Sequence, residues 1–431
     1  MPERRGPAAR LRGILAGGLW ALALLAAPTG LLAQGAAPAD PAAPAPVAAQ
    51  TGTDDAAAAP RIGMVTMLPG EVFFERFGHN ALLVDAPASG QAIAYNFGFF
   101  DPGESDFVAR FVRGDMRYKL AAIPFNDDLR YYDHVGRGVS VQWLDLTPAQ
   151  ARQLADALAR NARPENARYR YDYFLDNCST RVRDALDGAL DGGLHRQLQG
   201  RSHGTSFRSE ALRLARPAPW MWLGFDLGLG PAADAPQPLW GESFVPMRLA
   251  RALREVKNPA TGRPIVAAEE RLLPQRLPPE PVEQSIAWWP WALAGVLLAF
   301  ALIRLSARRP RAVAAFALPF WTLCGLLGAL MLFIWFGTEH RFGWANRNLL
   351  LMSPLCWLSL PGAWQVLRGR RPGAWLPRLL LVVAALPLAA LFFYWLQVYP
   401  QRNLHWIVLL APVHIGLWMA FRRIRGDAIG D

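Results

Sequence analysis

Residues 173–189 read Tyr-Phe-Leu-Asp-Asn-Cys-Ser-Thr-Arg-Val-Arg-Asp-Ala-Leu-Asp-Gly-Ala and contain the start of a helix. Apolar side chains recur there at the spacing of a helix with one buried face: Val182, Ala185, Leu186 and Ala189. Asp176 and Asn177 are residue types that cap a helix N-terminus, so either of them is the predicted cap. The pattern therefore predicts a helix whose first turn contains Cys178.

Cys178 is the best candidate for a reactive group in this helix. The partial positive charge of the helix N-terminus, together with Arg181 and Arg183, is expected to lower the pKa of its thiol below about 8.5. The same spacing places Cys178 on the buried face, so a packed and inert cysteine is the alternative. Because Cys324 and Cys356 lie within apolar runs, Cys178 is the one cysteine left for a soluble site.

The composition excludes two classes of protein. The chain has 431 residues, of which 52% are hydrophobic and 18% charged, and a mean hydropathy of +0.12. These values exclude a wholly disordered chain and an ordinary cytosolic one. The formal net charge of +11 would suit nucleic-acid binding, but many of the arginines flank long apolar segments, where they set the orientation of membrane spans. We therefore predict a membrane protein with no nucleic-acid partner.

The N-terminus has the parts of an export signal. Arginines precede an apolar stretch from Ile14 to about Ala27, and small residues that suit cleavage follow near Ala33. Residues 1–33 are the predicted signal peptide, with an uncleaved anchor as the alternative. Residues 34–60 consist almost entirely of Ala, Pro, Gly and a few polar residues, which cannot form a core, so we predict a flexible linker.

Five apolar runs follow a soluble region of residues 61–285. Each run is about long enough, at 1.5 Å per residue, to cross a hydrocarbon layer of roughly 30 Å. The runs are 286–303, 312–336, 349–366, 379–396 and 404–421, which define a predicted membrane domain of residues 286–421 and a cytoplasmic tail of residues 422–431.

Arginine clusters follow the first, third and fifth of these runs. Because cytoplasmic loops carry the excess of Arg and Lys, residues 61–285 and the loops 337–347 and 397–403 are predicted to lie outside the cytoplasm. The predicted location is the inner (cytoplasmic) membrane, crossed several times, with the N-terminal domain in the periplasm or extracytoplasmic space. An unpaired thiol risks oxidation there, which favours a functional role for Cys178.

The soluble region mixes strands and helices. Residues 73–85 and 91–100 are rich in strand formers and are separated by turn residues, which predicts a β-hairpin. Further predicted elements are a short helix at 106–117, a strand at 139–146 and a helix that begins with Thr147 and Pro148. The pattern therefore predicts an α+β domain.

A nucleophilic cysteine needs a base and usually a third group that orients the base. His79 is the best candidate for the base, because it opens an apolar strand of the hairpin and rigid strands hold catalytic groups precisely. Asn96, on the partner strand, is our choice for the third group, with Asp85 and Asp101 as alternatives. Three further histidines have polar neighbours and are expected at the surface: His134, His195 and His203.

The outward loop from Gly337 to Asn348 is the second candidate site. His340, Asn346 and Asn348 are predicted to bind an acidic or phosphate-bearing group of the substrate; the alternative is that they end two helices in the headgroup layer. Asn177, beside the cysteine, is a further candidate for substrate binding. No His, Cys or carboxylate spacing resembles a metal site and no Gly-rich phosphate loop is present, so neither a metal nor a cofactor is predicted.

Three segments of the soluble region carry a resemblance to a known family. They are Phe77-Gly-His-Asn-Ala-Leu-Leu-Val84, Tyr95-Asn-Phe-Gly-Phe-Phe-Asp101 and Tyr173-Phe-Leu-Asp-Asn-Cys-Ser-Thr180. They resemble the periplasmic domain of the lipoprotein N-acyltransferase (Lnb) family, and with the spans the similarity extends over most of residues 61–421. The order, histidine before Asn-Cys, is similar to the circularly permuted papain-like thiol fold. The resemblance implies an α+β permuted papain-like domain followed by an all-α bundle of about five transmembrane helices.

Acyl transfer by a Cys–His pair is the activity that this resemblance implies. Cys178 would attack a lipid ester, His79 would act as the base, and the thioester would deliver its acyl chain to an amine. On a bacterial lipoprotein the acceptor would be the α-amine of the lipidated N-terminal cysteine, so the implied partners are membrane lipids and lipid-anchored proteins. Two other hypotheses stand beside it: an extracytoplasmic thiol hydrolase that cuts cell-wall peptides or amides, and a non-catalytic membrane scaffold. The oligomeric state is left open.

Overall fold

A computed structural model describes residues 59–86 and 90–426 of the chain. The predicted signal peptide, all but the last two residues of the predicted linker and residues 427–431 of the predicted tail lie outside the described residues. The described residues form an antiparallel sheet flanked by helices, followed by a group of long apolar helices. The α+β class of the first part and the helical class of the second part are confirmed.

The sheet of the described residues has seven strands, and every neighbouring pair is antiparallel. The strands are β1 (Arg61–Met67), β2 (His79–Asp85), β3 (Ile93–Phe99), β4 (Arg117–Pro124), β5 (Val139–Leu144), β6 (Arg168–Arg170) and β7 (Val266–Leu273). Their order across the sheet is β6-β4-β3-β2-β1-β5-β7. The predicted hairpin is confirmed, because β2 and β3 pair with Leu82 opposite Tyr95.

Helices connect and cover these strands. They are α1 (Phe107–Arg113), α2 (Phe125–Val135), α3 (Pro148–Asn161), α4 (Pro164–Ala167), α5 (Cys178–Ala189), α6 (Gly193–Leu198), α7 (Phe207–Ala215), α8 (Pro219–Gly228), α9 (Leu239–Glu242) and α10 (Pro246–Leu253). Short 3-10 turns lie at Phe73–Glu75 and Pro231–Asp234.

Alternation along β2 divides its side chains between two cores. Leu82 packs in one core with Val182 of α5. Leu83 faces the opposite side and packs in a second core with Phe125 of α2. Strand β2 is thus covered by α5 on one face and by α2 on the other.

The helix predicted at 106–117 is shorter in the structure. Helix α1 ends where Gly114 adopts a left-handed conformation with a φ of 78°, a geometry that ends helices and that glycine adopts without strain. The residues from Arg117 onward open β4 instead, a strand that the pattern did not predict. The strand predicted at 139–146 and the helix predicted from Thr147 are confirmed as β5 and α3, and the Thr147 side chain caps α3.

Five segments of the described chain are long and apolar enough to cross a membrane, as predicted. The helices of these segments are α11 (Trp289–Arg308), α12 (Pro310–Gly337), α13 (Leu360–Leu367), α14 (Trp375–Leu396) and α15 (Leu404–Gly426). The third segment, Arg341–Leu367, contains three 3-10 turns before α13. Ser353 and Pro354 explain one interruption, because the Ser353 hydroxyl accepts the N–H of Leu355 at 3.3 Å and proline has no N–H to donate.

Polar contacts at the end of α8 form part of the junction between the two domains. His405 Nε2 and Trp406 Nε1 both lie 2.7 Å from Asp226 Oδ2. Asn346 donates its side-chain N–H to the carbonyl oxygen of Leu227 at 2.7 Å. These partners lie at the ends of spans that the arginine clusters predict to face outward. The sheet domain therefore lies on the extracytoplasmic side, as expected.

A buried arginine holds the turn that follows α8. Arg208 is 1% exposed, and its Nε lies 2.9 Å from Oδ1 and 3.0 Å from Oδ2 of Asp234. Its terminal nitrogens donate to the carbonyl oxygens of Asp226 at 2.8 Å and of Leu229 at 2.6 Å. The guanidinium therefore fixes the segment that carries the junction with the membrane domain.

Candidate functional site

The N-terminus of α5 positions Cys178. Asn177 Oδ1 accepts from the backbone N–H groups of Ser179 and Thr180, both at 2.9 Å, and Thr180 Oγ1 accepts from the N–H of Asn177 at 2.7 Å. Of the two predicted caps, Asn177 is therefore the one used. Cys178 follows in the first turn with a half-buried side chain and no disulfide partner.

Strand β3 passes close to the cysteine at Gly98. This glycine has a φ of 90°, and a Cβ added there would lie 3.6 Å from Cys178 Cβ and 3.7 Å from the ring of Tyr171. The pairing register between β3 and β4 shifts between Asn96 and Phe99, the stretch that contains Gly98. The positive φ favours glycine at this position, and these distances are ordinary van der Waals contacts.

Backbone N–H groups surround the sulfur. The N–H groups of Asn80, Ser179 and Cys178 itself favour the thiolate form and so lower the pKa of the thiol. Asn80 is the residue after His79, and its side-chain oxygen accepts from Ser179 Oγ at 2.9 Å. This contact joins the start of α5 to the start of β2, so the residues that follow the predicted nucleophile and the predicted base are in direct contact.

His79 is oriented by two hydrogen bonds in series. Its Nε2 lies 3.0 Å from Asn96 Oδ1, and Asn96 Nδ2 donates to Asp128 Oδ2 at 3.0 Å. Because an ionised carboxylate can only accept, Asp128 fixes the amide of Asn96 with its oxygen toward the histidine. Nε2 of the neutral ring therefore carries the proton, and Nδ1 is the basic nitrogen.

Asn96 has the geometry predicted for the orienting group. Asp85 lies at the opposite end of β2, and Asp101 Oδ1 accepts from the N–H of Gly103 at 2.8 Å. The contacts thus favour Asn96 over both alternatives, and its part in catalysis stays a prediction.

The remaining histidines of the sheet domain are exposed, as expected: His134, His195 and His203. Among residues 59–86 and 90–426, no group of three or more His, Cys, Asp or Glu side chains is placed to hold a metal ion.

Asp128 is the site residue that the sequence pattern did not identify. It is 8% exposed and lies on the buried face of α2 with Phe125 and Tyr132. Burial raises the pKa of its carboxyl to about 6, although the hydrogen bond from Asn96 and the charge of Arg137 oppose this shift. A signal was present in the sequence, because a carboxylate at helical spacing among buried aromatic residues needs a polar partner.

Burial is the largest cause of the pKa shifts of the predicted base and the predicted nucleophile. It lowers the pKa of His79 from 6.5 to about 4, although the hydrogen bond with Asn96 raises it. Burial also raises the pKa of the Cys178 thiol, by more than the surrounding backbone N–H groups lower it. The expectation of a lowered thiol pKa is therefore wrong, because desolvation outweighs the helix N-terminus. The resting site contains a neutral imidazole and a neutral thiol.

The pH dependence of thiol alkylation tests whether His79 and Cys178 are both neutral at rest. We expect the rate at which iodoacetamide modifies Cys178 to stay low at neutral pH and to rise only above about pH 9, where the thiolate forms. If His79 is the base, the rate of acylation should fall as the pH drops through about 4, where the imidazole is protonated. It should not fall near pH 6.5, the ordinary pKa of histidine. Since folding favours the neutral ring, the contribution of His79 to stability should be lost as the pH drops from 6.5 through 4, while the raised pKa of Asp128 acts in the opposite direction as the pH drops from about 6 to 3.8. A fully reactive thiol already at about pH 7 would contradict the neutral pair.

Two predicted substrate-binding residues lie beside the site. Asn177 Nδ2 donates to the carbonyl oxygens of Tyr173 at 2.8 Å and of Phe244 at 3.0 Å, so its amide holds the helix start. His340 Nε2 lies 2.9 Å from the carbonyl oxygen of Phe111, and its ring stacks on Tyr173 with 6.3 Å between centroids. Contact of either residue with a substrate stays a prediction.

The other two predicted substrate-binding residues lie in the domain junction. Asn346 and Asn348 are 2% and 0% exposed, and both donate to the carbonyl oxygen of Leu227, at 2.7 Å and 3.1 Å. Asn348 Oδ1 also accepts from Asn403 Nδ2 at 2.8 Å. These contacts join the outward loops to α8 and give both asparagines a structural role; their binding of a substrate stays a prediction.

The fold and the geometry together define a class of protein: an extracytoplasmic α+β domain, with a free cysteine at a helix N-terminus and a hydrogen-bonded His–Asn pair, attached to five membrane-spanning segments. The profile of the Lnb N-terminal periplasmic domain matches residues 51–211, and that of the Lnb transmembrane domain matches residues 282–422. Together they cover more than half of the chain, which belongs to the Lnb family. It is a multi-pass inner-membrane protein with a periplasmic N-terminal domain, in a family associated with lipoprotein processing. No curated protein and no solved structure matches the chain.

Proposed function

We propose that the protein is a membrane-bound cysteine acyltransferase that moves an acyl chain from a lipid ester to the amine of a bacterial lipoprotein. The observation that carries the proposal is the 3.0 Å contact between His79 Nε2 and Asn96 Oδ1, beside a cysteine at a helix N-terminus. Cys, His and Asn in these roles form the site of papain-like thiol enzymes. The chain order, with His79 and Asn96 before Cys178, is that of a circularly permuted papain-like domain. Family membership favours a lipid-anchored substrate.

The first half-reaction forms a thioester. His79 Nδ1 takes the thiol proton while the sulfur of Cys178 attacks the carbonyl carbon of the lipid ester. The carbon–oxygen bond to the glycerol then breaks, His79 returns the proton to the leaving oxygen, and the acyl chain stays on the sulfur. Backbone N–H groups at the start of α5 and at Asn80 stabilise the negative oxygen of the tetrahedral intermediate.

The second half-reaction delivers the chain to nitrogen. The neutral α-amine of the acceptor attacks the thioester carbonyl, and His79 Nδ1 removes a proton from this nitrogen. The carbon–sulfur bond breaks, the proton passes from His79 to the sulfur, and an amide and a neutral thiol result. Both partners begin and end uncharged, which agrees with the direction of both pKa shifts.

Mass spectrometry of the protein in lipid nanodiscs tests this proposal. A phospholipid with an isotopically labelled acyl chain should add the mass of one chain to Cys178, and hydroxylamine should remove it, because thioesters react with hydroxylamine. Addition of a synthetic peptide with an N-terminal diacylglyceryl cysteine should move the label to its α-amine as a hydroxylamine-resistant amide. The same peptide with an acetylated amine is the matched control and should receive no label.

Other products would select the other hypotheses. Labelled free fatty acid without labelled peptide would make the protein a hydrolase of lipid esters, and cleavage of a cell-wall peptide would make it a cell-wall hydrolase. If Cys178 gains no acyl mass and no product forms, the remaining hypothesis is a non-catalytic membrane scaffold.

A further inference from the structure

Five large apolar side chains are exposed on three elements of the described sheet domain: α1, α8 and the Phe73–Glu75 turn. Phe74, Val108, Val112, Trp220 and Leu223 are between 41% and 53% exposed, and we call these five residues the apolar rim. Single exposed apolar side chains are common on protein surfaces, whereas a contiguous set marks an interaction surface.

Aromatic contacts make the rim continuous. Phe73, next to Phe74, stacks on Trp220 with 5.8 Å between ring centroids. Phe74 contacts Phe100 at 5.3 Å, and Phe100 stacks at 5.5 Å on Phe107, the first residue of α1. One apolar surface therefore runs from α8 through the Phe73–Glu75 turn to α1.

Hydrogen bonds place both ends of the rim near the outer headgroup layer. The carbonyl oxygen of Arg113, the residue after Val112, accepts at 2.7 Å from the N–H of Glu339, just beyond the end of α12. At the other end, Leu227 accepts from the outward loop, as described above. Leu223 lies one helical turn before Leu227, which is about 6 Å along the axis. This length is comparable with the headgroup layer, which is roughly 6 Å thick on each side of the hydrocarbon.

The same surface borders the thiol. Phe100 follows Gly98 by two residues, and Gly98 is where β3 passes Cys178. Tyr118 stacks on Phe100 at 4.9 Å and contacts Tyr171 at 4.4 Å. The ring of Tyr171 lies against Gly98, 3.7 Å from the position of an added Cβ. Aromatic side chains thus extend without a break from the rim to the site.

We propose that the apolar rim inserts into the outer leaflet of the membrane that contains the five spans, and that the acyl chain of the lipid substrate reaches Cys178 along these aromatic side chains. The lipid bilayer is the occupant because Arg113 and Leu227, which lie near the two ends of the rim, are hydrogen-bonded to residues at the outward ends of spans. Apolar faces of interfacial helices insert about 5–10 Å, which is the depth that the rim needs. Insertion is independent of the proposed acyl transfer, whereas the route of the acyl chain rests on it.

Dyes on single cysteines test the insertion. In a chain whose three native cysteines are alanine, Val108→Cys and Leu223→Cys would carry an environment-sensitive dye, and nitroxides on phospholipid chains in nanodiscs would quench it. We expect blue-shifted emission and strong quenching at both positions. Gly188→Cys is the control, because residue 188 is exposed near the C-terminal end of α5, whereas Cys178 is at its N-terminal end. A dye at position 188 should stay in water. If the dyes on the rim show the same emission and the same weak quenching as this control, the proposed insertion is wrong.

A comparison of two esters tests the route. Leu223→Asp and Val112→Asp should lower the ratio of vesicle lipid-ester turnover to p-nitrophenyl acetate turnover about tenfold, and Gly188→Asp should leave it unchanged. An unchanged ratio in the rim variants would overturn the route. If the unaltered protein turns over neither ester, the proposed function fails, while the dye measurement still decides the insertion.

Discussion

Replacing Cys178 by alanine should lower the rate of acyl transfer by about a thousand-fold or more, because the covalent route loses its nucleophile. The fold should survive, since Asn177 still caps α5 and alanine favours helices. The measurement is transfer of a labelled acyl chain to the diacylglyceryl peptide in nanodiscs, together with thermal unfolding of the same sample. Lipoprotein N-termini from cells that carry the variant should lack the added acyl chain.

Cys324→Ala is the matched control for this experiment. Cys324 is 4% exposed within α12, so the substitution removes a sulfur from the membrane domain and leaves the site unaltered. Its transfer rate should stay within about twofold of the unaltered protein. Equal activity of the two variants would place the chemistry at another site. Loss of the unfolding transition in Cys178→Ala alone would give Cys178 a structural role.

Replacing Arg208 by alanine should destabilise the sheet domain by about 3–5 kcal/mol, because it breaks a buried ion pair from one side. The carboxylate of Asp234 would stay buried without its cation, and the carbonyl oxygens of Asp226 and Leu229 would lose their donors. The measurement is denaturant or thermal unfolding in detergent, followed by the fluorescence of the sheet domain. A lower midpoint with an unchanged membrane-domain signal is the expected result.

Arg201→Ala controls for the loss of an arginine. Arg201 pairs with Glu255 at the surface, where both side chains are 48% exposed, and exposed pairs contribute about 0–1 kcal/mol. If both arginine variants unfold at the same midpoint, the buried network does not stabilise the protein.

Local signals made much of the site predictable. The cap and the apolar spacing of α5 lie within one stretch of chain, so they placed Cys178 in a first turn before any tertiary contact was known. The pairing of His79 with Asn96 followed from a hairpin with short sequence separation, in which alternate side chains share a face. The membrane spans were equally local, because length and hydropathy alone identify them.

Other features of the site depend on tertiary packing and could not be predicted from the sequence. Asp128 reaches Asn96 because α2 packs on one face of the sheet, and no local pattern specifies that contact. The direction of the thiol pKa shift depends on how much water the surrounding elements exclude, and desolvation outweighed the helix N-terminus. The hydrogen bonds from Asn346 and Asn348 to the Leu227 carbonyl also depend on tertiary packing, so the sequence does not specify them.

The contacts of Asp226 with His405 and Trp406 have a consequence for timing in the cell. They anchor the sheet domain to the outward ends of the helices. The sulfur therefore stays at a fixed distance from its own bilayer and cannot reach a substrate in another membrane. The donor and the acceptor must then each be embedded in that bilayer during its own half-reaction. If the proposed function is correct, a lipoprotein has to be modified before it leaves the inner membrane, because after that the site cannot reach it.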